Sequence, residues 1–150
     1  EGGLAKEAVV MSWRGEQGGF VAASAGHDVV MAPETHVYFD RSHYNCEDER
    51  GRLSVNTLEN VYSYEPIPAE LDADRVHHIL GVEGTMWTEG TPQPGDIAYM
   101  LFPRVVALAE VAWSPKEARD WNSFRERLRE HGARLTAAGI GYYPDVGVWN

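Results

Sequence analysis

The sequence predicts an α/β fold assembled from βα units around a parallel sheet. Three short apolar runs rich in β-branched residues are each followed by helical or loop material, and two amphipathic patterns close the chain. The first two runs are also separated by a connection long enough for a parallel crossover. An open doubly wound sheet and part of a (β/α)8 barrel both satisfy this order.

Residues 8–13, AVVMSW, read as a buried strand ending in a turn at Arg14 and Gly15. The small-residue stretch 19–25 predicts a short helix stopped by Gly26. Residues 28–32, DVVMA, make the second strand, halted by Pro33. From Arg41 to Asn60 the chain is polar and aperiodic, which predicts a long excursion in place of a core element. Tyr62, Tyr64, Pro66 and Pro68 follow as a stiff aromatic connector. A short helix over residues 73–80 is expected to lead into a third strand over 81–87, whose two glycines suit close packing or a bend. Ile97, Leu101, Val105, Leu108 and Ala112 recur at steps of three and four, so they predict a helix that breaks or restarts at Pro103. Trp121, Phe124, Leu128 and Leu135 give a last helix with Asp120 as its cap and Gly139 as its stop, and the run RERLRE is expected on its solvated face.

The chain of 150 residues, 43% hydrophobic and 24% charged, fits one compact domain with a real core. A formal charge of −10 argues against a nucleic-acid surface, which needs clustered Lys and Arg to neutralise phosphates. No apolar run approaches the roughly 20 residues of a membrane span, and no export leader is visible. The opening on Glu1 is compatible with a piece cut from a longer polypeptide. Cys46 stands alone, so no internal disulfide forms and no role is assigned to it.

Trp13, Tyr38, Asp40, Trp87 and Glu89 all fall at or just beyond the carboxyl ends of the predicted strands, the ligand-binding edge of either architecture. In an extended MWTEG, Trp87 and Glu89 leave the same face, and Tyr38 and Asp40 repeat the spacing in VYFDR. A sugar ring has an apolar face of C–H groups and a rim of hydroxyls. Trp13 and Trp87 can supply a flat wall for it, Asp40 and Glu89 hydroxyl acceptors, and Tyr38 a phenolic donor for a carbonyl or amide oxygen. The plainer account is that a strand-end tryptophan packs in the core and the acid two residues on is solvated. The coincidence at several strand ends adds weight to the site without by itself displacing the plainer account.

Other groups offer less. His77 and His78 are adjacent and expected to diverge, which makes a poor metal pair, and no His or Cys spacing resembles a zinc site. His27 and His36 flank the second strand and read as structural. No phosphate-binding loop and no nucleophile elbow is present, so Ser and Cys nucleophiles have no support, and neither a metal nor a cofactor is expected.

The ordered set MSWRG, GHDVVMAPETHVYFD, VYSYEPIP, ILGVEGTMWTE and YMLFPRVVALAEVAWSP with RDWNSFRERL resembles the last part of the catalytic domain of family 20 glycoside hydrolases, the β-N-acetylhexosaminidases. The resemblance implies that the chain is the carboxyl-terminal portion, about strands 6 to 8 with their helices, of a (β/α)8 barrel. It implies removal of terminal N-acetylglucosamine or N-acetylgalactosamine from glycans by a retaining mechanism in which the substrate's acetamido oxygen attacks the anomeric carbon. On this resemblance Trp13 lines the acetamido pocket and Tyr38 holds the acetamido oxygen. Asp40 and Glu89 take sugar hydroxyls, and Trp87 forms the floor. The family's catalytic acid is a glutamate after an aspartate at an earlier strand. Here the only such pair, Asp48-Glu49, lies in the polar excursion, and no catalytic role is carried onto it. The chain alone is therefore expected to be inactive, to need the amino-terminal remainder of the barrel, and to self-associate in isolation. The resemblance also implies a periplasmic or secreted setting. A non-catalytic carbohydrate-binding or scaffold module derived from such a barrel is the alternative.

Overall fold

The computed structural model describes residues 3–44 and 52–150. Strand β1 (Val10–Ser12), helix α1 (Gln17–Ser24) and strand β2 (Val29–Met31) form the first unit. After the short α2 (Glu34–Val37) come β3 (Arg41–Ser42), β4 (Arg52–Val55) and α3 (Leu58–Tyr62). Strand β5 (Ile79–Val82) precedes α4 (Pro94–Leu101), α5 (Arg104–Trp113), α6 (Trp121–Ala137) and α7 (Val146–Trp149). The main sheet runs β1-β2-β5, all parallel, with Val10 opposite Val29, Met11 opposite Val30, and Met31 opposite Val82.

Strands β1 and β2 turn alternate residues toward the helices. Ser12 Oγ accepts from the Gly19 amide at 2.8 Å and donates to the Gly15 carbonyl, which seats α1 on β1. Val29 and Met31 of β2 are buried in the same layer, with Ala22 and Ala23 of α1. Met11 and Trp13 leave the opposite face of β1 and remain 42% and 43% exposed. Helices thus cover one side of this sheet and leave the other open, although parallel sheets are ordinarily covered on both sides.

Four sequence expectations need correction. The third strand is Ile79–Val82, not 81–87, and the helix expected over 73–80 shrinks to one 3₁₀ turn at Val76–His78. The strand starts early because Ile79 pairs with Val29. A register shift then leaves Leu80 as an extra residue before Gly81 meets Val30. The segment from Arg41 to Asn60 is not a bare excursion: β3 and β4 pair in parallel, and Leu58 and Val61 of α3 join the core. Cys46, Asp48 and Glu49 lie outside the described residues. The RERLRE face is not simply solvated either. Arg125 and Arg129 donate to the carbonyls of Gly147 and Val148 and so hold α7 against α6.

The two closing helices follow the sequence more closely. The apolar stripe is interrupted at Pro103, and α5 begins at Arg104. Asp120 accepts from the Ser123 amide at 2.7 Å and caps α6, while Gly139 adopts the positive φ of 69° that ends the run. Arg127 grips Glu110 with both Nη atoms, at 2.6 and 2.8 Å, which ties α6 to α5 and holds the Glu110 carboxyl below its ordinary range. Burial and the hydrogen bond to Glu110 push the Tyr62 phenol up to about 12.

His43 provides a pH-dependent element of this frame. Its ring stacks on Tyr143 at 4.2 Å, meets Tyr99 edge-on, and has Nε2 placed 3.0 Å from the Tyr99 carbonyl. Burial, and after it the charge of Arg104, lower its pKa to about 3 from 6.5. A depressed histidine binds its proton first in the unfolded chain. Its contribution to stability is complete above about 6.5 and is lost as pH falls toward about 3. Urea unfolding should therefore weaken on acidification already between about pH 6.5 and 5, above the range of ordinary carboxylates. A His43→Phe variant, which keeps the stack on Tyr143, should show a shallower slope there. His36, also lowered by burial, acts in the same direction. An unchanged slope in the variant would refute this assignment.

Candidate active site

The carboxyl edge of the sheet opens into a cleft of about 520 Å³ lined by Met11, Trp13, Tyr38, Trp87 and Glu89. Four of the five sequence candidates thus converge in space. Trp13 continues β1 past Ser12, and its backbone carbonyl accepts from the Glu34 amide at 2.9 Å, which ties the start of α2 to the end of β1.

Tyr38 reaches the cleft by a different route from the one expected. It does not end β2, because α2 intervenes. It instead forms a parallel bridge with Thr85, with Phe39 N donating to Thr85 O at 2.8 Å and Thr85 N to Val37 O at 2.9 Å. The β2–β5 pairing is in effect resumed one helical turn later. Trp87 and Glu89 follow this bridge in a segment without regular strand structure, Glu89 standing in a turn. They share the cleft, as expected, but not because they lie on one extended strand.

Asp40 departs from the expectation. It is 3% exposed, so it lies beneath the surface and is not among the residues lining the cleft. Tyr38 and Asp40 consequently do not repeat the Trp87–Glu89 arrangement, since a turn at Phe39 and Asp40 replaces the extended backbone that would aim them alike. Met11 is the lining residue that sequence reasoning missed. Its spacing of two from Trp13 on one strand was the available signal.

The cleft is half-open, with Trp13 43% and Trp87 48% exposed. Two accessible indoles, a phenol and a carboxylate can together hold a molecule with a flat apolar face and a hydroxyl rim.

The histidines lie elsewhere. His36 stacks on Tyr64 with centroids 4.9 Å apart, and burial lowers its pKa. His78 Nδ1 meets Asp28 at 2.9 Å, and the rings of His77 and His78 do not diverge but lie 4.1 Å apart. Among the described residues, no three His, Cys, Asp or Glu side chains are grouped to hold a metal ion. No helix among them is long and apolar enough to cross a membrane.

Short parallel strands backed by helices, with the polar and aromatic groups collected beyond their carboxyl ends, are the arrangement on which βα-barrel enzymes build their sites. The chain belongs to glycosyl hydrolase family 20: the description of that family's catalytic domain matches residues 2–116. A beta-hexosaminidase of Porphyromonas gingivalis is 40% identical over 147 residues, covering 95% of this chain and 19% of the relative. A beta-N-acetylhexosaminidase of Cellulomonas fimi is 34% identical over 130 residues, with 81% and 25% covered. Among solved structures, an exo beta-N-acetylglucosaminidase from Vibrio harveyi, in complex with N-acetylglucosamine, superposes with a TM-score of 0.86 at 34% identity. That match covers 93% of this chain and 22% of the other. The beta-N-acetylhexosaminidase from Streptomyces coelicolor gives 0.85 at 27% identity, covering 97% and 31%. These structural neighbours are TIM barrels, and the chain spans only part of each.

Proposed function

We propose that the chain is the carboxyl-terminal portion, about strands 6 to 8 with their helices, of a family 20 catalytic barrel. In this reading it forms one wall of the sugar subsite of a β-N-acetylhexosaminidase. The observation that carries the proposal is the convergence of Trp13, Tyr38, Trp87 and Glu89 on one cleft at the carboxyl edge of the sheet. Trp87 would lie under the pyranose ring and Trp13 against the acetamido methyl, while Tyr38 donates to the acetamido oxygen and Glu89 accepts from a hydroxyl. Asp40 would accept from a further hydroxyl, which requires substrate or the rest of the barrel to uncover it. The acid that protonates the leaving group would come from a strand outside this chain, so the chain alone would bind sugar weakly and hydrolyse nothing.

Closure of the barrel would also answer for the surfaces left open. The outer side of β5 and the end of α5 frame a groove of about 700 Å³ that includes Ile67, Leu80, Val82 and Trp113. Trp113 is 89% exposed there. An open sheet edge beside such apolar groups is a pairing surface, suited to the remainder of the barrel and, in its absence, to a second copy.

The test is release of a chromophore from a chromogenic N-acetylglucosaminide, together with N-acetylglucosamine binding. The chain joined to the amino-terminal part of its barrel should hydrolyse, and the 150 residues alone should not. Robust release by the chain alone would sink the assignment of the acid to another segment. Binding without hydrolysis by the joined protein would favour a carbohydrate-binding module. Trp87→Ala removes a stacking face of roughly 100 Å², and at about 25 cal/mol per Å² affinity should fall roughly 10- to 100-fold. Equal binding by Trp87→Ala and by Glu89→Gln would remove the cleft from the function.

A further inference from the structure

We propose that Arg104 and Asn56 are positioning residues that set Tyr38 and Asp40 in place by gripping the backbone around them. The inference deepens the proposed reading and rests on it only in treating Tyr38 and Asp40 as sugar-contacting groups.

Arg104 is completely buried in the first turn of α5. Its Nη1 donates to the carbonyls of Arg41 at 2.8 Å and Asn56 at 2.7 Å, and its Nη2 to those of Phe39 at 2.8 Å and Met100 at 2.5 Å. Asn56, also fully buried, donates from Nδ2 to the carbonyls of His36 at 2.8 Å and Tyr38 at 3.2 Å, while its amide donates to Ser42 at 2.8 Å. Asn60 fixes which way the Asn56 amide points: its Nδ2 donates to Asn56 Oδ1 at 2.9 Å and to the Thr35 carbonyl at 2.7 Å.

The carbonyls at positions 36, 38, 39 and 41 are therefore each held by one of two buried side chains, and the segment they belong to carries Tyr38 and Asp40. The bridge to Thr85 engages the carbonyl of Val37 and the amide of Phe39, leaving those other carbonyls in need of donors. A guanidinium presents its N–H groups in a rigid planar fork, which an ammonium cannot imitate.

This is an unfavourable way merely to fill space. A buried charge carries a desolvation penalty, and a cation at a helix N-terminus opposes the helix dipole. The carbonyls that the fork holds help to offset both. Packing alone would be met by an apolar residue, as at Leu108 one turn further along α5. What the arginine adds is a fixed backbone path for the turn that presents the Tyr38 hydroxyl to the cleft.

The experiment places 3-fluorotyrosine at position 38 and 5-fluorotryptophan at position 13 of the full chain and follows fluorine NMR in Arg104→Lys and Asn60→Ala. The tryptophan sits on the β1 side of the cleft, outside this hydrogen-bond network, and serves as internal reference. In Arg104→Lys the position-38 resonance should shift and broaden or split, while position 13 and the cooperative melt are retained. Unchanged position 38 in a folded variant would overturn the proposal and leave Arg104 a stabiliser only. If lysine at 104 prevents folding, Asn60→Ala decides by the same readout, because it frees the Asn56 amide from a half-buried site without touching the buried charge. Titration with N-acetylglucosamine separates the two claims. Loss of affinity of about fivefold or more in Asn60→Ala, with position 13 unmoved, supports both. Movement at position 38 in the variants of a parent that never responds to the sugar, even when joined to the amino-terminal part of its barrel, would sustain the positioning role and sink the sugar reading. A responsive parent with position 38 unmoved in both variants would do the reverse.

Discussion

Gly84→Ala is expected to destabilise the chain by about 1–3 kcal/mol and to lower its melting temperature by roughly 3–10 °C. A Cβ at this position would stand 2.5 Å from Cε2 of Phe39 and 2.9 Å from Cδ2 of Leu108. Neither neighbour can yield cheaply. Phe39 is buried with its amide bonded to Thr85 and its carbonyl to Arg104, and Leu108 is buried on α5. The added methyl must therefore push the β5 extension away from α5 or shift the turn that holds Tyr38 and Asp40. Gly95→Ala is the matched control: it lies in the first turn of α4 with nothing within 4 Å of its Cβ, and alanine there should be neutral or slightly stabilising. Thermal melts followed by circular dichroism read both. Equal melting temperatures for Gly84→Ala and the parent would show that the contact relaxes without consequence.

The same close approach shows how far the sequence could be read. Two glycines in the third apolar run signalled tight packing or a bend, and the structure uses them for one of each: Gly84 under Phe39, and Gly81 at the shifted register opposite Val30. The strand's limits were not legible, because Ile79 and Leu80 follow a His pair and become strand only through pairing with β2, a non-local fact. Leu58 and Val61 were too few apolar residues in a polar stretch to announce a core helix. Elements that carry local chemistry fared better. Pro103 divided the long stripe, Asp120 capped α6, and the β-branched runs at 8–13 and 28–32 gave β1 and β2.

In the site, Trp87 and Glu89 share one cleft as their spacing predicted, but the backbone there is not a strand and the period-two reason does not hold. The same spacing failed at Asp40, where a turn turned the acid inward. Arg104 was invisible to periodicity for a physical reason. A charged residue between Pro103 and two valines looks like the polar edge of an amphipathic helix, and only the fold shows the carbonyls gathered around it.

Tyr38→Phe, made in a protein that unites this chain with the rest of its barrel, is expected to lower kcat by about 10²-fold, the loss typical when a group that holds the attacking atom in position is removed. The substitution deletes one O–H and keeps the ring, so the Thr85 bridge, which uses backbone atoms alone, should survive and the fold with it. On the proposed reading the phenol meets the acetamido oxygen in both the bound substrate and the transition state. As that oxygen attacks the anomeric carbon it gives up electron density and becomes a poorer acceptor, so the phenol acts by holding it in line for attack and not by stabilising charge on it. The loss should accordingly fall on kcat, with KM changed by only a few-fold. Glu89→Gln should give the contrasting pattern, because a hydroxyl acceptor at the rim acts on ground state and transition state alike and its loss appears chiefly in KM. Steady-state kinetics on one chromogenic N-acetylglucosaminide compares the two variants directly. A Tyr38→Phe enzyme with the parent's kcat would remove the phenol from the chemistry and leave it a side chain of the cleft wall.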